Sequence, residues 1–271
     1  MPTEDTATND ENGTILLERT GPVAVITLSR PAALNALTWS MYAQLDAHLV
    51  ELATDDTIRT IVIRGAGSRA FAAGTDIQQF RGFSAEDGVA YEQRMDIITD
   101  RLYNMTKPLI AAVHGVAVGA GLVISTACDL RYATPSARFG APMARTLGNS
   151  LSLKNYRRLV QAFGPMHTKE LLFTTRLLTA DEALQYGFLT AIVDEAQFFT
   201  HVLEVAQQIS NHAPLTIWAT KEALRRMNAA EEARLTNIPF DDVLARVYGS
   251  HDFAEGVQAH TEKRHPIWQG E

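Results

Sequence analysis

Residues 109–127 read LIAAVHGVAVGAGLVISTA, and this apolar stretch decides the fold of the chain. It has no formally charged residue, and its length approaches that of a membrane-spanning helix. However, it contains three glycines and a histidine, and it lies between Lys107-Pro108 and Asp129. These features predict a buried strand, a glycine-rich turn and a buried helix rather than a membrane span.

Strand and helix patterns alternate on both sides of this stretch. Residues 58–63 (IRTIVI) form a nearly continuous β-branched run, which is typical of a buried parallel strand. Apolar residues at helical spacing predict helices over 37–53 and 84–105, and residues 14–19 and 23–28 predict an N-terminal hairpin. This alternation predicts a parallel sheet with helical crossovers.

The predicted organisation is one α/β core followed by a helical region. Residues 1–13 are acidic and polar, without the basic start and apolar core of a signal peptide, and we expect a short disordered tail there. We place the core at 14–200 and the helical C-terminal region at 201–271. The sequence TADE at 179–182 has the form of a helix-capping box.

Composition limits the function of the chain. Its 271 residues, 46% hydrophobic and 20% charged, are typical of a soluble globular protein, and its net charge of -7 argues against nucleic-acid binding. The single cysteine, Cys128, excludes an internal disulfide and favours a reducing, cytoplasmic location. Its apolar surroundings indicate a buried structural thiol.

Motifs for metals and redox cofactors are weak. GAGSRA (65–70) fits a dinucleotide-binding pattern, but the following FAAGTDIQQF does not begin with the helical period that such a loop needs. The eight histidines lack the spacing of metal ligands, and no cysteine pair or G-x-S-x-G motif is present. We therefore predict neither a metal site nor a bound nicotinamide or flavin.

Two segments of small residues stand out, FAAGTDI (71–77) and HGVAVGAG (114–121). Each follows a predicted strand, and the second precedes a predicted helix. Small side chains let a ligand approach the backbone, and a helix N-terminus offers free N–H groups. Two such N–H groups directed at one point would form an oxyanion hole. Composition alone slightly favours tight turns and close packing over an oxyanion hole.

Longer segments of the chain resemble the crotonase family, also called the enoyl-CoA hydratase/isomerase family. They follow the family's order and together span nearly the whole chain. They are SRPAALNAL (29–37), IRTIVIRGAG (58–67), AFAAGTDI (70–77), KPLIAAVHGVAVGAG (107–121), ACDLRYAT (127–134), ARFGAP (137–142), TADEALQYGFL (179–189) and DFAEGVQAHTEKR (252–264). The resemblance implies an α/β fold with a crotonase-type ββα spiral core and a helical C-terminal region that joins subunits into homotrimers or hexamers.

The resemblance also implies a site for a coenzyme A thioester, which is the substrate rather than a bound cofactor. The backbone N–H groups of Thr75 and Ala120 would stabilise its enolate. Ala32 replaces a family lysine, so one phosphate contact would be missing. The residues expected near the adenine and pantetheine are Ala33, Leu34, Ala73, Asp76 and Ile77, and Lys263 is expected near the phosphates.

The chain departs from the family pattern at Val123 and Met143, where hydratases of the family carry glutamates. Both positions are expected to line the acyl pocket. Hydration needs groups that position water and transfer protons, which valine and methionine cannot do. Losing one positioned acid or base typically lowers the rate by about 10²- to 10⁴-fold. Hydratase activity therefore requires substitute residues.

Arg145 and Asn149 are the main candidates for such substitutes, because both follow Met143. Arg145 cannot act as a base at neutral pH, but its guanidinium can pair with a carboxylate on an acyl group. Further candidates are Asp96, Ser150, Ser152 and Glu170.

The leading hypothesis is an acyl-CoA enzyme that stabilises an enolate, nominally an enoyl-CoA hydratase or isomerase. Isomerisation, C–C cleavage, decarboxylation and thioester hydrolysis are the alternatives within the family. A non-catalytic acyl-CoA-binding protein is the alternative outside enzyme function.

Overall fold

Two β-sheets form the centre of the computed structural model, which describes residues 12–235 and 237–271. In chain order the strands are β1 (Thr14–Thr20), β2 (Val23–Ser29), β3 (Thr60–Gly65), β4 (Ala70–Ala72), β5 (Leu109–Val113), β6 (Val116–Val118), β7 (Leu130–Ala133), β8 (Arg138–Gly140), β9 (Leu178–Thr179) and β10 (Ala191–Ile192). Within the described ranges, one sheet has the order β1-β2-β3-β5-β7-β10 and the other has the order β4-β6-β8-β9. β1 and β2 pair antiparallel, and β2-β3-β5-β7-β10 are parallel. The predicted hairpin and parallel sheet are both confirmed.

Helices follow pairs of strands along the chain. They are α1 (Trp39–Thr54), α2 (Ala85–Tyr103), α3 (Ala120–Ala127), α4 (Met143–Thr146), α5 (Leu153–Thr174), α6 (Ala180–Gln185), α7 (Phe198–Ser210), α8 (Pro214–Glu232), α9 (Asp241–Tyr248) and α10 (His251–Glu262). In the units β3-β4-α2 and β5-β6-α3, the first strand joins the larger sheet and the second joins the smaller one. This repeat is the expected ββα spiral.

Both faces of the larger sheet are covered. Ile61 and Ile63 belong to the main apolar core with α1 and α2, whereas Val62 faces α7 and packs in a cluster with Val202. Successive side chains of a strand point to opposite faces. The uninterrupted apolar run in β3 is thus explained by burial on both sides.

The C-terminal helices α9 and α10 close one side of the core near α2. Tyr248 of α9 and Phe253 of α10 cluster with Phe80, and Tyr248 also packs edge-on against Tyr91 of α2. By contrast, the described side chains of α8 are all at least partly exposed. The packing of α9 against α2 brings residues distant in sequence to the candidate site.

Several local predictions are also tested by the structure. The capping box is confirmed, since Glu182 N–H donates to Thr179 Oγ1 and Thr179 N–H donates to Glu182. Cys128 is buried, and burial raises the pKa of its thiol to about 12, as expected for an inert thiol. In the described part of the chain, no helix is both long and apolar enough to cross a membrane.

The predicted N-terminal tail falls outside the described residues from position 1 to position 11. Its last two residues meet the folded core. Thr38 Oγ1 donates to the Asn12 carbonyl oxygen at 2.8 Å, and Gly13 is buried. The boundary between a core and a C-terminal region near residue 200 stays a prediction.

Candidate active site

A cavity of about 110 Å³ lies between α2, the N-terminus of α3 and the segment around α4. Its wall combines the two segments of small residues that stood out in the sequence with apolar side chains of α2 and α3. Among the predicted site residues, those that line it are Ala73, Thr75, Ile77, Ala120, Val123, Met143 and Asn149. The chain therefore brings these residues together around one cavity.

Two glycines bring the backbone segments of this wall into contact. Gly74 has φ +98° and Gly119 has φ +54°, conformations that side chains with a Cβ rarely adopt. A Cβ placed on Gly74 would lie 3.5 Å from the Val118 oxygen and 3.8 Å from the Ala120 nitrogen. The residues after each glycine, Thr75 and Ala120, consequently lie side by side.

The N–H groups of Thr75 and Ala120 have no acceptor among the described residues. Leu37 N–H donates to Gly74 O at 2.8 Å and Asp76 N–H donates to Leu37 O at 2.9 Å, so the intervening Thr75 N–H points away from Leu37. Ala120 is the first residue of α3, where a backbone N–H has no partner within the helix. Both N–H groups are therefore available to a ligand.

The side chain of Thr75 anchors its segment from behind. Its Oγ1 lies 2.7 Å from the Tyr42 hydroxyl oxygen and 2.8 Å from the Tyr91 hydroxyl oxygen. Burial raises the pKa of both tyrosines above the ordinary value, which keeps the hydroxyls neutral. The three hydroxyls form a neutral hydrogen-bonded group that holds the Thr75 side chain in place.

Val123 and Met143, the positions at which the family resemblance implies glutamates in hydratases, give the cavity an apolar wall. Val123 is 8% exposed and Met143 is 9% exposed. Met95, Ile98 and Leu151 extend the same wall. The wall offers water few polar partners near the acyl position.

Glu92 is the carboxyl group that sequence reasoning missed. It lies on α2, is 2% exposed, and is the one acidic residue among the described residues that line the cavity. Glu92 Oε1 lies 2.6 Å from the Tyr248 hydroxyl, and Ser152 N–H donates to Oε2 at 2.8 Å. Burial, with a smaller contribution from the Asp96 carboxylate, raises the pKa of Glu92 to about 8 despite the lowering effect of these two hydrogen bonds.

A detectable signal does mark Glu92 in the sequence. Glu92 falls at helical spacing with Gly88, Met95, Thr99 and Leu102, all of which are buried along α2. A glutamate on the apolar face of an amphipathic helix is an exception that indicates a functional or buried carboxyl.

The residues predicted to substitute for the glutamates lie in different parts of the structure, and most of them do not line the cavity. Asn149 lines the cavity, and its buried Oδ1 accepts no hydrogen bond from the described residues. Arg145 is exposed on α4 and does not line the cavity. Asp96 accepts a hydrogen bond from the Ser152 hydroxyl, and Glu170 pairs with Arg176 at the surface. Of these residues, only Asn149 reaches the cavity.

The residues predicted to contact coenzyme A divide into two groups. Ala73 and Ile77 line the cavity, whereas Leu34 accepts a hydrogen bond from Ala73 N–H at 3.0 Å and lies outside it, as does Ala33. Asp76 forms an ion pair with Arg30 at 2.8 Å. Lys263 is exposed at the end of α10. Their contacts with coenzyme A remain predictions.

The dinucleotide-like segment 65–70 has a structural role in this fold. It joins β3 to β4 and continues into a strand. It therefore lacks the helix N-terminus that would hold a pyrophosphate. Among the described residues, no cluster of three or more histidine, cysteine, aspartate or glutamate side chains is arranged to bind a metal ion.

Comparison with known proteins agrees with the fold. The family model for enoyl-CoA hydratase/isomerase matches residues 18–271. The chain belongs to the enoyl-CoA hydratase/isomerase, or crotonase, family. A short-chain-enoyl-CoA hydratase of Clostridium acetobutylicum is 31% identical over 94% of this chain and 97% of the relative. A carnitinyl-CoA dehydratase of Salmonella agona is 32% identical over 94% of this chain and 97% of the relative.

Solved structures show the same similarity. A methylmalonyl-CoA decarboxylase in complex with 2-nitronate-propionyl-CoA has a TM-score of 0.85 and 31% identity, covering 95% of this chain and 98% of its own. An enoyl-CoA hydratase/carnithine racemase from Magnetospirillum magneticum has a TM-score of 0.77 and 30% identity, covering 97% of this chain and 99% of its own. The crotonase fold and an acyl-CoA enzyme family are thus shown.

Proposed function

We propose that the chain is an acyl-CoA enzyme that forms and protonates a thioester enolate without adding water. The N–H groups of Thr75 and Ala120 would donate to the thioester oxygen. The observation that carries this proposal is the pair of unsatisfied backbone donors, side by side in the wall of an apolar cavity.

Enolate formation moves negative charge onto the thioester oxygen, so fixed donors stabilise the enolate more than the starting thioester. One donor of an oxyanion hole typically contributes about 3 kcal/mol to the transition state. The apolar side chains around the cavity strengthen this effect, because electrostatic interactions grow as the local dielectric constant falls.

The absence of water from the proposed reaction rests on Val123 and Met143. Neither side chain can hold or deprotonate a water molecule beside the acyl group. The names of the relatives include a hydratase, a dehydratase and a decarboxylase, so the family supports more than one outcome for a bound acyl-CoA. We therefore do not transfer the hydratase activity to this chain.

Exchange of α-protons in deuterium oxide tests enolate formation directly. The wild-type protein should catalyse deuterium incorporation at the α-carbon of butyryl-CoA, followed by mass spectrometry. Ala120→Pro removes one donor at the first position of α3, where helices accept proline. We expect exchange to fall by about 10²- to 10³-fold in this variant.

Ala120→Gly is the matched control, because it keeps the N–H and should exchange within a few fold of wild type. Circular dichroism and titration with butyryl-CoA would show that both variants fold and bind. Undiminished exchange in folded Ala120→Pro would contradict the proposed site. Tight binding by wild type with neither exchange nor turnover of any other acyl-CoA thioester would favour the non-catalytic acyl-CoA-binding alternative.

We also propose a homotrimer or hexamer, as the family resemblance implies. Several large apolar side chains of α8 are exposed, including Leu215 (77%), Trp218 (49%) and Met227 (64%). Light scattering during size-exclusion chromatography would test this assembly, and a monomeric mass at micromolar concentration would contradict it.

A further inference from the structure

Glu92 is the buried carboxyl group that the proposed enolate site has not yet used. It lines the same cavity as Thr75 and Ala120, and it extends from α2 while the two donors lie on the β4-α2 connection and on α3. The cavity wall thus contains the two backbone N–H donors and, among the described residues, one carboxyl group, that of Glu92.

Burial favours the neutral form of Glu92, and the hydrogen-bond partners around it can accommodate that form. The Tyr248 hydroxyl oxygen lies 2.6 Å from Glu92 Oε1 and 3.2 Å from the Ser150 carbonyl oxygen. A tyrosine hydroxyl has only one proton to donate, so an ionised Glu92 and the carbonyl would compete for it. If Glu92 is protonated at Oε1, it donates to Tyr248, and Tyr248 donates to Ser150. All three groups are then satisfied.

The charges around Glu92 agree with this arrangement. The nearest carboxylate that acts on it is Asp96, one turn further along α2, and its repulsion disfavours ionisation. The cations Lys154 and Arg158 pair with Asp100 instead. Among the described residues, no lysine, arginine or histidine lines the cavity. The remaining titratable groups that act on Glu92 or are affected by it are the neutral hydroxyls of Tyr42, Tyr91 and Tyr248.

A group that is protonated at neutral pH suits one class of reaction better than the others. Isomerisation and α-proton exchange must both begin with a base that removes a proton from carbon, and at neutral pH only the minor ionised fraction of Glu92 supplies one, so both should be slow beside decarboxylation. Cleavage of a 3-oxoacyl-CoA needs a nucleophile, and the described cavity wall has no second carboxyl to activate water. Loss of CO2 from a 2-carboxyacyl-CoA needs neither, because it produces the enolate directly and requires only an acid to finish.

We propose, on the basis of the proposed function, that Glu92 is the acid that protonates the enolate and that the substrates are 2-carboxyacyl-CoA thioesters. The bond between the α-carbon and the carboxylate carbon breaks, and its electron pair forms the enolate held by Thr75 and Ala120. CO2 leaves. The α-carbon then takes the proton of Glu92, whose carboxylate is reprotonated by water.

The apolar wall of the cavity favours loss of CO2 from a 2-carboxyacyl-CoA. A carboxylate enclosed by Val123, Met143 and Met95 loses its hydration, whereas CO2 is neutral and loses little. The charge moves from the carboxylate to the thioester oxygen, where two N–H donors receive it. Proton transfer from Glu92 to the α-carbon then removes this negative charge.

The test uses 2-methylmalonyl-CoA in deuterium oxide, with the wild-type protein and Glu92→Gln. Glutamine retains the shape and can still donate to Tyr248 and accept from Ser152 N–H, so the fold should be preserved. Wild type should give 2-deuteriopropionyl-CoA of one configuration. In Glu92→Gln we expect either a rate about 10²-fold lower or a mixture of both configurations, because solvent then delivers the deuteron without a fixed direction.

Glu86→Gln, an exposed change on the same helix, is the control and should behave like wild type. The wild-type rate should also fall above about pH 8, and Glu92→Gln should lack this decline.

Equal rate and equal stereochemical purity in Glu92→Gln would overturn the role of Glu92. If wild type exchanges the α-protons of butyryl-CoA but releases no CO2 from methylmalonyl-CoA or malonyl-CoA, the substrate class is wrong and the proposed function stands. If it catalyses neither reaction, the proposed function itself fails.

Discussion

Replacing Glu92 by glutamine should change how the stability of the protein depends on pH. The folded-state pKa of Glu92 is raised to about 8 from an ordinary value of 4.5, mainly by burial. Between these values the folded protein holds a proton that the unfolded chain releases. The contribution of this proton to stability is complete below pH 4.5 and is lost as the pH rises towards 8.

The size of the effect follows from proton linkage. One proton retained only in the folded state changes the free energy of unfolding by about 1.4 kcal/mol per pH unit. From pH 5 to pH 7, wild type should therefore lose about 3 kcal/mol through Glu92. Solvent screening reduces this effect on the free energy of unfolding very little, because Glu92 is only 2% exposed. Glutamine does not titrate, so Glu92→Gln should become the more stable protein as the pH rises.

Urea unfolding of wild type and Glu92→Gln at pH 5, 6, 7 and 8, at one protein concentration, measures this difference. Subtracting the two curves cancels the titration of the groups they share. Glu86→Gln should show no such pH-dependent difference from wild type. A constant difference between wild type and Glu92→Gln across this range would show that Glu92 titrates alike in the folded and unfolded states, which would refute the argument for a neutral carboxyl.

Three further changes test other parts of the structure. Val123→Glu with Met143→Glu should create crotonyl-CoA hydration, seen as loss of the conjugated-thioester absorbance, in a protein that otherwise lacks it; fast hydration by wild type would contradict this. Gly121→Ala places a Cβ 2.1 Å from the Ala72 carbonyl oxygen and should lower stability in urea by about 2 kcal/mol or more, so an unchanged midpoint would contradict the packing. Thr75→Val removes a hydroxyl shared by two tyrosines and should cost about 1 kcal/mol of stability. The backbone N–H of residue 75 remains in this variant, so α-proton exchange by Thr75→Val should stay within about tenfold of wild type. A loss of exchange as large as that expected for Ala120→Pro would show that the Thr75 side chain, rather than its N–H, is needed for the reaction.

Most of the fold could be predicted from local patterns in the sequence. β3 is a continuous apolar run because α1 and α2 cover one face and α7 covers the other. The long apolar stretch becomes two strands, β5 and β6, and the helix α3, because Gly115 and Gly119 adopt positive φ angles; β6 lies where a glycine-rich turn was predicted. Periodicity and glycine positions were sufficient for the strand β5 and the helix, but they did not show that β6 joins a second sheet or that α7 covers β3.

The candidate site could be predicted only in part. Thr75 and Ala120 were predicted from the family resemblance, and the two positive-φ glycines explain why their backbone segments lie next to each other. Glu92 was missed because its burial depends on Tyr248, which lies 156 residues further along the chain. Arg145 was predicted as a site residue because its guanidinium can pair with a carboxylate on an acyl group, but the orientation of α4 leaves Arg145 exposed.

In the proposed site, the N–H groups of Thr75 and Ala120 polarise a thioester carbonyl. Isotope-edited infrared spectroscopy of butyryl-CoA labelled with ¹³C at the carbonyl carbon measures this polarisation in the bound complex. We expect the carbonyl stretch to move to lower frequency on binding to wild type and to Ala120→Gly, with a smaller shift in Ala120→Pro. A bound thioester whose carbonyl frequency equals that in water, or an undiminished shift in Ala120→Pro, would contradict it.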